Sequence, residues 1–304
     1  MDKSLLDSLA AIVGEENVRP LESLAPHTTF KIGGPADAFV SPRSVEEVSQ
    51  VVCACEQASV PWRVIGCGSD LLVADEGVEG VVIEVRDNLS AIRVDGMRVV
   101  AGAGATNAAV AEAACAAGLS GYEFACGIPG TVGGAAIMNA GAYDGEFSQV
   151  CTCVTCVTPE GRIVEVPREE AEWSYRHSMF DAARYVVVAA TLELAPADPV
   201  DIRARMDELT AKREAKQPID MPSAGSTFKR PEGHFAAALI DQAGLRGLAI
   251  GGAQVSTKHT GFVVNAGDAT SADVKALIAE VQRRVLESSG VALEPEVRMW
   301  GREA

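Results

Sequence analysis

The stretch Gly121–Gly145, GYEFACGIPGTVGGAAIMNAGAYDG, carries glycines at 121, 127, 130, 133, 134, 141 and 145. Glycine accepts positive φ and lets main chain approach a ligand closely, so this density inside an apolar segment reads as a cradle rather than a core element. Solvated loops are polar, whereas this stretch includes Ile128, Val132, Ala135, Ala136, Ile137 and Met138. A plain surface loop is the poorer reading. Pro129 fixes one turn, Thr131 is placed to cap a short helical turn from Val132 to Ile137, and Asn139 offers a side-chain amide where the chain leaves that turn. The expected occupant is flat and phosphorylated.

A second glycine turn lies upstream. Trp62 to Ile65 reads as a β-run ending in Gly66-Cys67-Gly68-Ser69-Asp70, followed at once by Leu71-Leu72-Val73. Successive backbone N–H groups in such a turn converge on an anion, which makes it a plausible pyrophosphate site. It lacks the third glycine and the following helix of a Rossmann fingerprint.

Around these two turns the pattern is α+β. Helices are expected at Ser4 to Val13, Val45 to Ala58 (with Ser44 and Glu47 as a capping box), and from Thr106 to Ala117 with Gly118 beyond the end. Strands are expected at Phe30 to Ile32, resuming at Ala36 to Val40 after Gly33-Gly34-Pro35. Further strands follow at Gly80 to Val85, Ala91 to Val94, Met97 to Ala101, Val150 to Thr158, Arg162 to Val166 and Arg184 to Leu194. Ala195-Pro196-Ala197-Asp198-Pro199 reads as a linker. After it come helices at Val200 to Lys216, Phe235 to Ala243 and Ala272 to Ser288, with strands at Leu248 to Val255, Gly261 to Val264 and Ala292 to Met299.

With 304 residues, 48% of them hydrophobic, the chain can bury more than one core. A net charge of -16 opposes nucleic-acid or anionic-membrane binding, which need a broad basic face. An anionic small substrate still fits if cations are concentrated locally, and Lys212, Arg213, Lys216, Lys229 and Arg230 are close in sequence. No apolar run reaches transmembrane length, and the acidic, amphipathic start lacks a signal peptide's cationic region, so the expected location is the cytoplasm. The eight cysteines mostly fall in apolar periodic segments, where reduced thiols act as small hydrophobes, and no disulfide is expected. Cys151-x-Cys153-x-x-Cys156 lacks a nearby histidine, and alternation points its first two members to one strand face, so no metal is expected.

Six motifs occur in one order: TTFKIGGPA, VIGCGSDLLV, GIPGTVGGAAIMNAGAY, SYRHSMF, PSAGSTFKRP and LEPEVRMWG. Together they resemble the UDP-N-acetylenolpyruvoylglucosamine reductase family from Thr28 to Gly301, in its compact second type. The resemblance implies a vanillyl-alcohol-oxidase type FAD-binding fold in two α+β subdomains, with a C-terminal α+β substrate domain. The corresponding division is a lead-in over 1–27, an FAD-binding domain over 28–196 and a substrate-binding domain over 197–304. It implies non-covalent FAD, NADPH as co-substrate, and reduction of UDP-N-acetylglucosamine enolpyruvate to UDP-N-acetylmuramate for peptidoglycan.

Residue roles follow from the same resemblance. FAD would be held by Gly66, Cys67, Gly68, Ser69, Asp70 and Leu71, and by Pro129, Gly130, Thr131, Gly133, Gly134, Ile137, Ala140 and Gly141. Arg176 resembles the arginine that polarises the substrate carboxylate, Ser226 the proton donor, and Glu296 the third catalytic residue. Tyr143, Tyr175, Lys229, Arg230, Gln254 and His259 are candidates for substrate contacts, with packing as the competing reading for Tyr175 and His259. Asp70 and Arg230 stand where asparagine is frequent in the family, which adds a carboxylate beside a pyrophosphate and alters one substrate contact.

These residue types suit the chemistry. A fixed arginine stabilises charge developing on a carboxylate, an effect commonly worth about 3–4 kcal/mol for one preorganised donor. A protonated Glu296 would donate a second hydrogen bond, and a basic carbanion-like carbon can take a serine proton that Lys229 or water replaces. Two rival readings remain. Ser226-Thr-Phe-Lys229 is also an S-x-x-K acyl-transfer motif, but the accompanying S-D-N and K-T-G are broken at Leu71 and His259. A flavin-binding protein with no turnover, or an oxidase of the same superfamily, is the other.

Overall fold

A computed structural model describes residues 1–302. The chain divides into two compact units, each drawn from several passages. The first comprises Met1–Pro20, Ala38–Cys67 and Gly80–Arg213; the second comprises Leu21–Asp37, Gly68–Glu79 and the chain from Glu214 onward.

The first unit contains two larger sheets. One has five strands in the order Ile163–Pro167, Cys151–Val157, Val186–Glu193, Arg98–Gly102, Ile92–Asp95, with every neighbouring pair antiparallel. Its centre is the valine-rich strand Val186–Glu193, whose branched side chains suit a pleated, buried surface. The other sheet orders Val18–Pro20, Ala36–Val40, Val78–Glu84 and Trp62–Ile65. Its last strand runs parallel to Val81 through Glu84, so the chain leaves Ile65 directly into Gly66.

Helix Lys3–Val13 buries Leu5, Leu9 and Val13, and helix Val45–Gln57 buries Val48, Val51, Val52 and Cys55 in the same core. Ser44 caps the second helix through the N–H of Glu47 at 3.2 Å. The Glu47 carboxylate reaches past the cap to the Arg43 N–H, at 2.7 Å, instead of closing the expected box.

Several expected elements differ. Phe30 and Ile32 are not a strand: the Thr28 hydroxyl bonds the main chain of Ile32 in both directions and Lys31 has φ +58°, which closes a turn while both apolar residues enter the second core. The expected linker is ordered, because Ala195–Pro196 pairs with Leu119–Ser120 and Pro199 opens helix Pro199–Lys216. The charged composition of that helix hides a stripe of Ile202, Met206 and Leu209, of which the first two join the first core. Cores therefore do not change at residue 196.

A β-bulge between Cys151 and Cys153 breaks the alternation, leaving Cys151 buried and Cys153 half-buried rather than on one face. All eight cysteines are free thiols, and burial pushes those of Cys55, Cys151 and Cys156 up to about 12. Thiols so far from ionising are poor nucleophiles.

The second unit packs an antiparallel sheet, Ala249–Ile250, Ala253–Val255 and Val263–Asn265, with helices Ala236–Gln242 and Ser271–Ser289. The long helix buries Val274, Leu277, Ile278, Val281 and Val285 on one stripe. Thr270 and Asp273 form a capping box, and the Asp75 carboxylate takes the N–H groups of Ser271 and Ala272 at 2.8 and 3.1 Å. A carboxylate there offsets both orphan donors and the positive helix end. The expected strand over 248–255 is instead a hairpin turned at Gly251-Gly252. The expected last strand shortens to Arg298–Trp300, parallel to Leu71–Val73, because Pro295 lacks the N–H a ladder needs.

Candidate active site

In the first unit the two glycine turns meet. A Cβ on Gly66 would lie 2.5 Å from the Thr131 hydroxyl oxygen, so only glycine fits where the strand end backs onto the cradle. Thr131 caps helix Val132–Met138, as expected, through the N–H of Gly134 at 3.4 Å. The N–H groups of Val132 and Gly133, however, already donate to Ala105 and Ala103 at 2.8 and 2.9 Å. The helix start is therefore occupied by protein acceptors, and Gly133 is small because a Cβ would press on Ala103 at 3.1 Å.

The donors left over lie in the loop before the helix and in the Gly66 turn. Among the described residues, the main-chain N–H groups of Cys67, Gly127, Gly130 and Thr131 donate to no protein acceptor. Such a set suits an anion held by main chain, and it tests the fit of a dinucleotide pyrophosphate favourably. Burial pushes the Cys67 thiol up, with Arg86 opposing, so the turn presents a neutral thiol.

Asn107 supports this loop and was missed in the sequence. It is buried: its N–H donates to the Gly130 carbonyl at 3.2 Å, its side-chain amide approaches the Ile128 and Gly130 carbonyls at 3.4 Å each, and it accepts from the Tyr122 hydroxyl at 2.8 Å. Its one local signal was an asparagine just inside the Thr106 cap of an alanine-rich helix.

The other end of helix Val132–Met138 holds the SYRHS segment. Its unpaired terminal carbonyls at Ala136 and Ile137 accept from Trp173 Nε1 and the Ser178 hydroxyl, at 2.7 Å each. Asn139, in the left-handed region at φ +41°, spends its amide within the protein: it donates to the Ser174 carbonyl at 3.2 Å and accepts from the Ser148 N–H at 2.9 Å. It is not the open amide its position suggested. Ser174 and His177 bond each other reciprocally at 3.2 Å, and the turn between them carries Arg176 at φ +54° with its guanidinium 4.9 Å from the Tyr175 ring centre.

Ala140 bonds Ala135 and Phe147 through its main chain, and Gly141–Ala142 pairs with Gly145–Glu146 in a tight hairpin. Its two turn residues, Tyr143 and Asp144, both have positive φ, the turn type that suits hairpin twist. The exposed Tyr143 ring is thus carried on strained backbone, a common feature of functional turns.

The second unit gathers the remaining motifs. Thr29 joins two of them, its hydroxyl donating to the Ser223 carbonyl at 2.6 Å while its N–H takes the Gly68 carbonyl at 3.1 Å. A Cβ on Gly68, at φ +58°, would strike the His27 carbonyl at 2.4 Å. Buried Thr227 donates its N–H to Gly261, receives the Val263 N–H at its hydroxyl (2.8 Å each), and accepts the Glu296 N–H at 2.9 Å. Main-chain bonding thus brings half-buried Ser226 and Glu296 into neighbouring strand-like segments, and the Ser226 hydroxyl has no protein partner among the described residues. The Asp70 carbonyl accepts the Arg298 N–H at 3.1 Å in this unit.

Several candidates among the cations and substrate contacts expected from sequence are engaged within the protein. Lys212 is paired with Glu208 at 2.5 Å and Lys229 with Glu294, Arg230 lies 4.0 Å over the Phe235 ring, and Gln254 reaches the Gly247 carbonyl at 3.4 Å. Lys212, Arg213 and Lys216 lie in the last turns of helix Pro199–Lys216, and Lys229 and Arg230 follow it in the chain.

A sequence family described as the C-terminal domain of UDP-N-acetylenolpyruvoylglucosamine reductase matches residues 217–300, and one described as an FAD binding domain matches residues 36–167. A UDP-N-acetylenolpyruvoylglucosamine reductase of Lachnoclostridium phytofermentans is 48% identical over 305 residues, covering 99% of this chain and 98% of that one. The chain belongs to the UDP-N-acetylenolpyruvoylglucosamine reductase family. A reductase of the same name from Clostridium botulinum strain Hall is 45% identical over 301 residues, covering 99% and 98% of the two chains. The crystal structure of the Thermus caldophilus reductase superposes with a TM-score of 0.81 at 35% identity, covering 93% of this chain and 99% of that one. The fold is the expected α+β FAD-binding type with a reductase C-terminal domain.

In this member of the reductase family, His259 reads as a packing residue. Its Nδ1 accepts the Gly261 N–H at 3.2 Å and its ring meets Phe262 edge-on at 5.1 Å. Burial lowers its pKa below the ordinary 6.5, with Arg246 and Lys216 adding to the effect. The fold prefers the neutral ring, so its stabilisation is complete above 6.5 and is lost as pH falls through the lower folded value. Thermal melts from about pH 7.5 to about pH 5.5 should show a decline in Tm that His259→Gln makes shallower. Equal slopes in both proteins would remove His259 as its source.

Proposed function

We infer that this chain is the FAD-dependent oxidoreductase that reduces UDP-N-acetylglucosamine enolpyruvate to UDP-N-acetylmuramate for peptidoglycan, consuming NADPH in the cytoplasm. No helix among the described residues is long and apolar enough to cross a membrane, which is compatible with that location. The observation that carries the cofactor reading is the junction of Gly66 with Thr131, beside four main-chain donors without protein acceptors. The division into FAD-binding residues 28–196 and substrate-binding residues 197–304 is proposed on function, distinct from the division by core.

Bound FAD supplies hydride-transfer chemistry that no side chain offers. The turns Gly66–Leu71 and Pro129–Gly141 would hold it, with Asn107 fixing the loop that carries Gly130. Arg176 stabilises negative charge as it develops on the substrate carboxylate, and Glu296 hydrogen-bonds the same group. Ser226 delivers the proton to the adjacent carbon. Because Lys229 is engaged by Glu294, water is the better source for reprotonating Ser226. Tyr143, Tyr175, Lys229, Arg230 and Gln254 are the proposed substrate contacts, with His259 placed by its packing on Phe262 at the edge of that set.

Purified protein mixed with NADPH should turn over only when UDP-N-acetylglucosamine enolpyruvate is added, and denaturation should release all flavin into the supernatant. Turnover of oxygen instead of the enolpyruvyl substrate would favour the oxidase reading. Colour retained by the precipitated chain would overturn non-covalent binding.

Asn139 gives a separable test of how Arg176 is positioned. Asn139→Gly keeps the left-handed cap but removes both amide bonds, so a roughly tenfold loss of kcat with FAD retained is expected, about the effect of losing one or two hydrogen bonds. Unchanged kcat would confine Asn139 to a structural role.

A further inference from the structure

We propose that Arg213 is the cation of the glycine cradle, placed to pair with the diphosphate of the bound dinucleotide; this rests on the FAD reading above. Nothing in the six motifs marks this residue. It sits in the last turn of helix Pro199–Lys216, in the first unit.

Three observations single it out. The arginine stem runs against Gly127, where a Cβ would lie 3.0 Å from Cδ and 3.9 Å from Nε. Gly127 is thus small at the point where Arg213 passes, and its own N–H is one of the four cradle donors lacking a protein acceptor. Second, Arg213 is half-buried yet has no hydrogen bond or ion pair among the described residues. Its helix neighbours differ: Arg203 pairs with Glu112 at 2.5 Å, Arg205 with Glu208 at 2.6 Å, and Lys212 with Glu208. Third, the side chains that act on its charge are those of Tyr143 and Cys126, and no carboxylate is among them.

A guanidinium cannot shed its proton to escape this environment, because its pKa lies far above any working pH. Partial dehydration without a partner therefore weighs against the free protein and is relieved when an anion arrives. Burial does lower the pKa of Arg213, in keeping with that dehydration. A diphosphate supplies two negative charges and planar-compatible oxygens, and arginine binds such groups through paired N–H bonds. Main-chain amides at Gly127, Gly130 and Thr131 fix the group, and Arg213 neutralises it. The overall charge of -16 makes a local cation more necessary for a dianionic ligand.

The UDP-sugar also carries a diphosphate, so the test separates the two sources. Apoprotein of wild type, Arg213→Gln and Arg213→Lys is titrated with FAD and with riboflavin, which has no phosphate, by flavin fluorescence at low and high salt. Loss of a charge-assisted pair predicts FAD binding weakened about 10- to 100-fold in Arg213→Gln, with partial recovery in Arg213→Lys. Riboflavin binding should be unchanged and the salt dependence of FAD binding shallower. The Tm of apo Arg213→Gln should equal or exceed wild type, since a partly dehydrated charge without a partner has gone; a marked fall would show a structural role and overturn the proposal. Equal FAD affinity in all three proteins, with a raised KM for the UDP-sugar, would assign Arg213 to substrate and also overturn it. Failure of wild type itself to bind FAD would refute the cofactor reading instead.

Discussion

Ser226→Ala should slow reduction of the enolpyruvyl substrate by about 10² to 10⁴, the usual range for losing a positioned general acid. NADPH oxidation by the loaded enzyme in a single turnover should stay within a few-fold of wild type, because it requires no proton at the substrate carbon. Folding should hold as well. The Ser226 hydroxyl bonds no protein group among the described residues, whereas the segment is tied down through Thr227 to Gly261, Val263 and Glu296. Stopped-flow traces in which both half-reactions slow equally, or neither does, would return Ser226 to the role of a turn residue.

Arg176→Gly should lower kcat/KM by about 10² to 10³ while leaving the protein as stable as wild type or slightly more so. Side chains rarely adopt φ +54°, and holding one there costs on the order of 1 kcal/mol, which glycine avoids. The turn itself is secured by Trp173, Ser174 and Ser178 against the end of helix Val132–Met138, none of which the substitution touches. Activity and stability are therefore expected to move in opposite directions. Arg176→Lys keeps the charge but loses the two-pronged geometry, so its loss should be intermediate. If Arg176→Gly keeps more than a tenth of wild-type kcat/KM, or if its Tm falls in step with activity, the arginine is a packing residue and the charge-stabilising role goes elsewhere.

Local chemistry was legible in the sequence wherever the deciding partners lie within a few residues. Caps at Ser44, Thr106 and Thr131, the apolar stripe of helix Ser271–Ser289, and strands such as Val186–Glu193 follow from hydroxyls and periodicity acting over one or two turns. The six motifs likewise determined the family, because a fixed order of specific residues needs no coordinates. Tertiary structure decided how those pieces are used. Gly66 meets Thr131, Asn107 holds the Gly130 carbonyl, Thr29 joins Gly68 to Ser223, and Arg213 lies on Gly127, all between residues far apart in the chain. Long-range packing likewise drew the polar-looking helix Pro199–Lys216 into the first core, while the Thr28 hydroxyl and the left-handed Lys31 turned Phe30 and Ile32 from an alternating strand into a turn whose two apolar side chains enter the second core. Periodicity reports which face of an element is apolar, but what that face or a freed N–H group meets depends on burial and hydrogen-bond satisfaction across the whole fold.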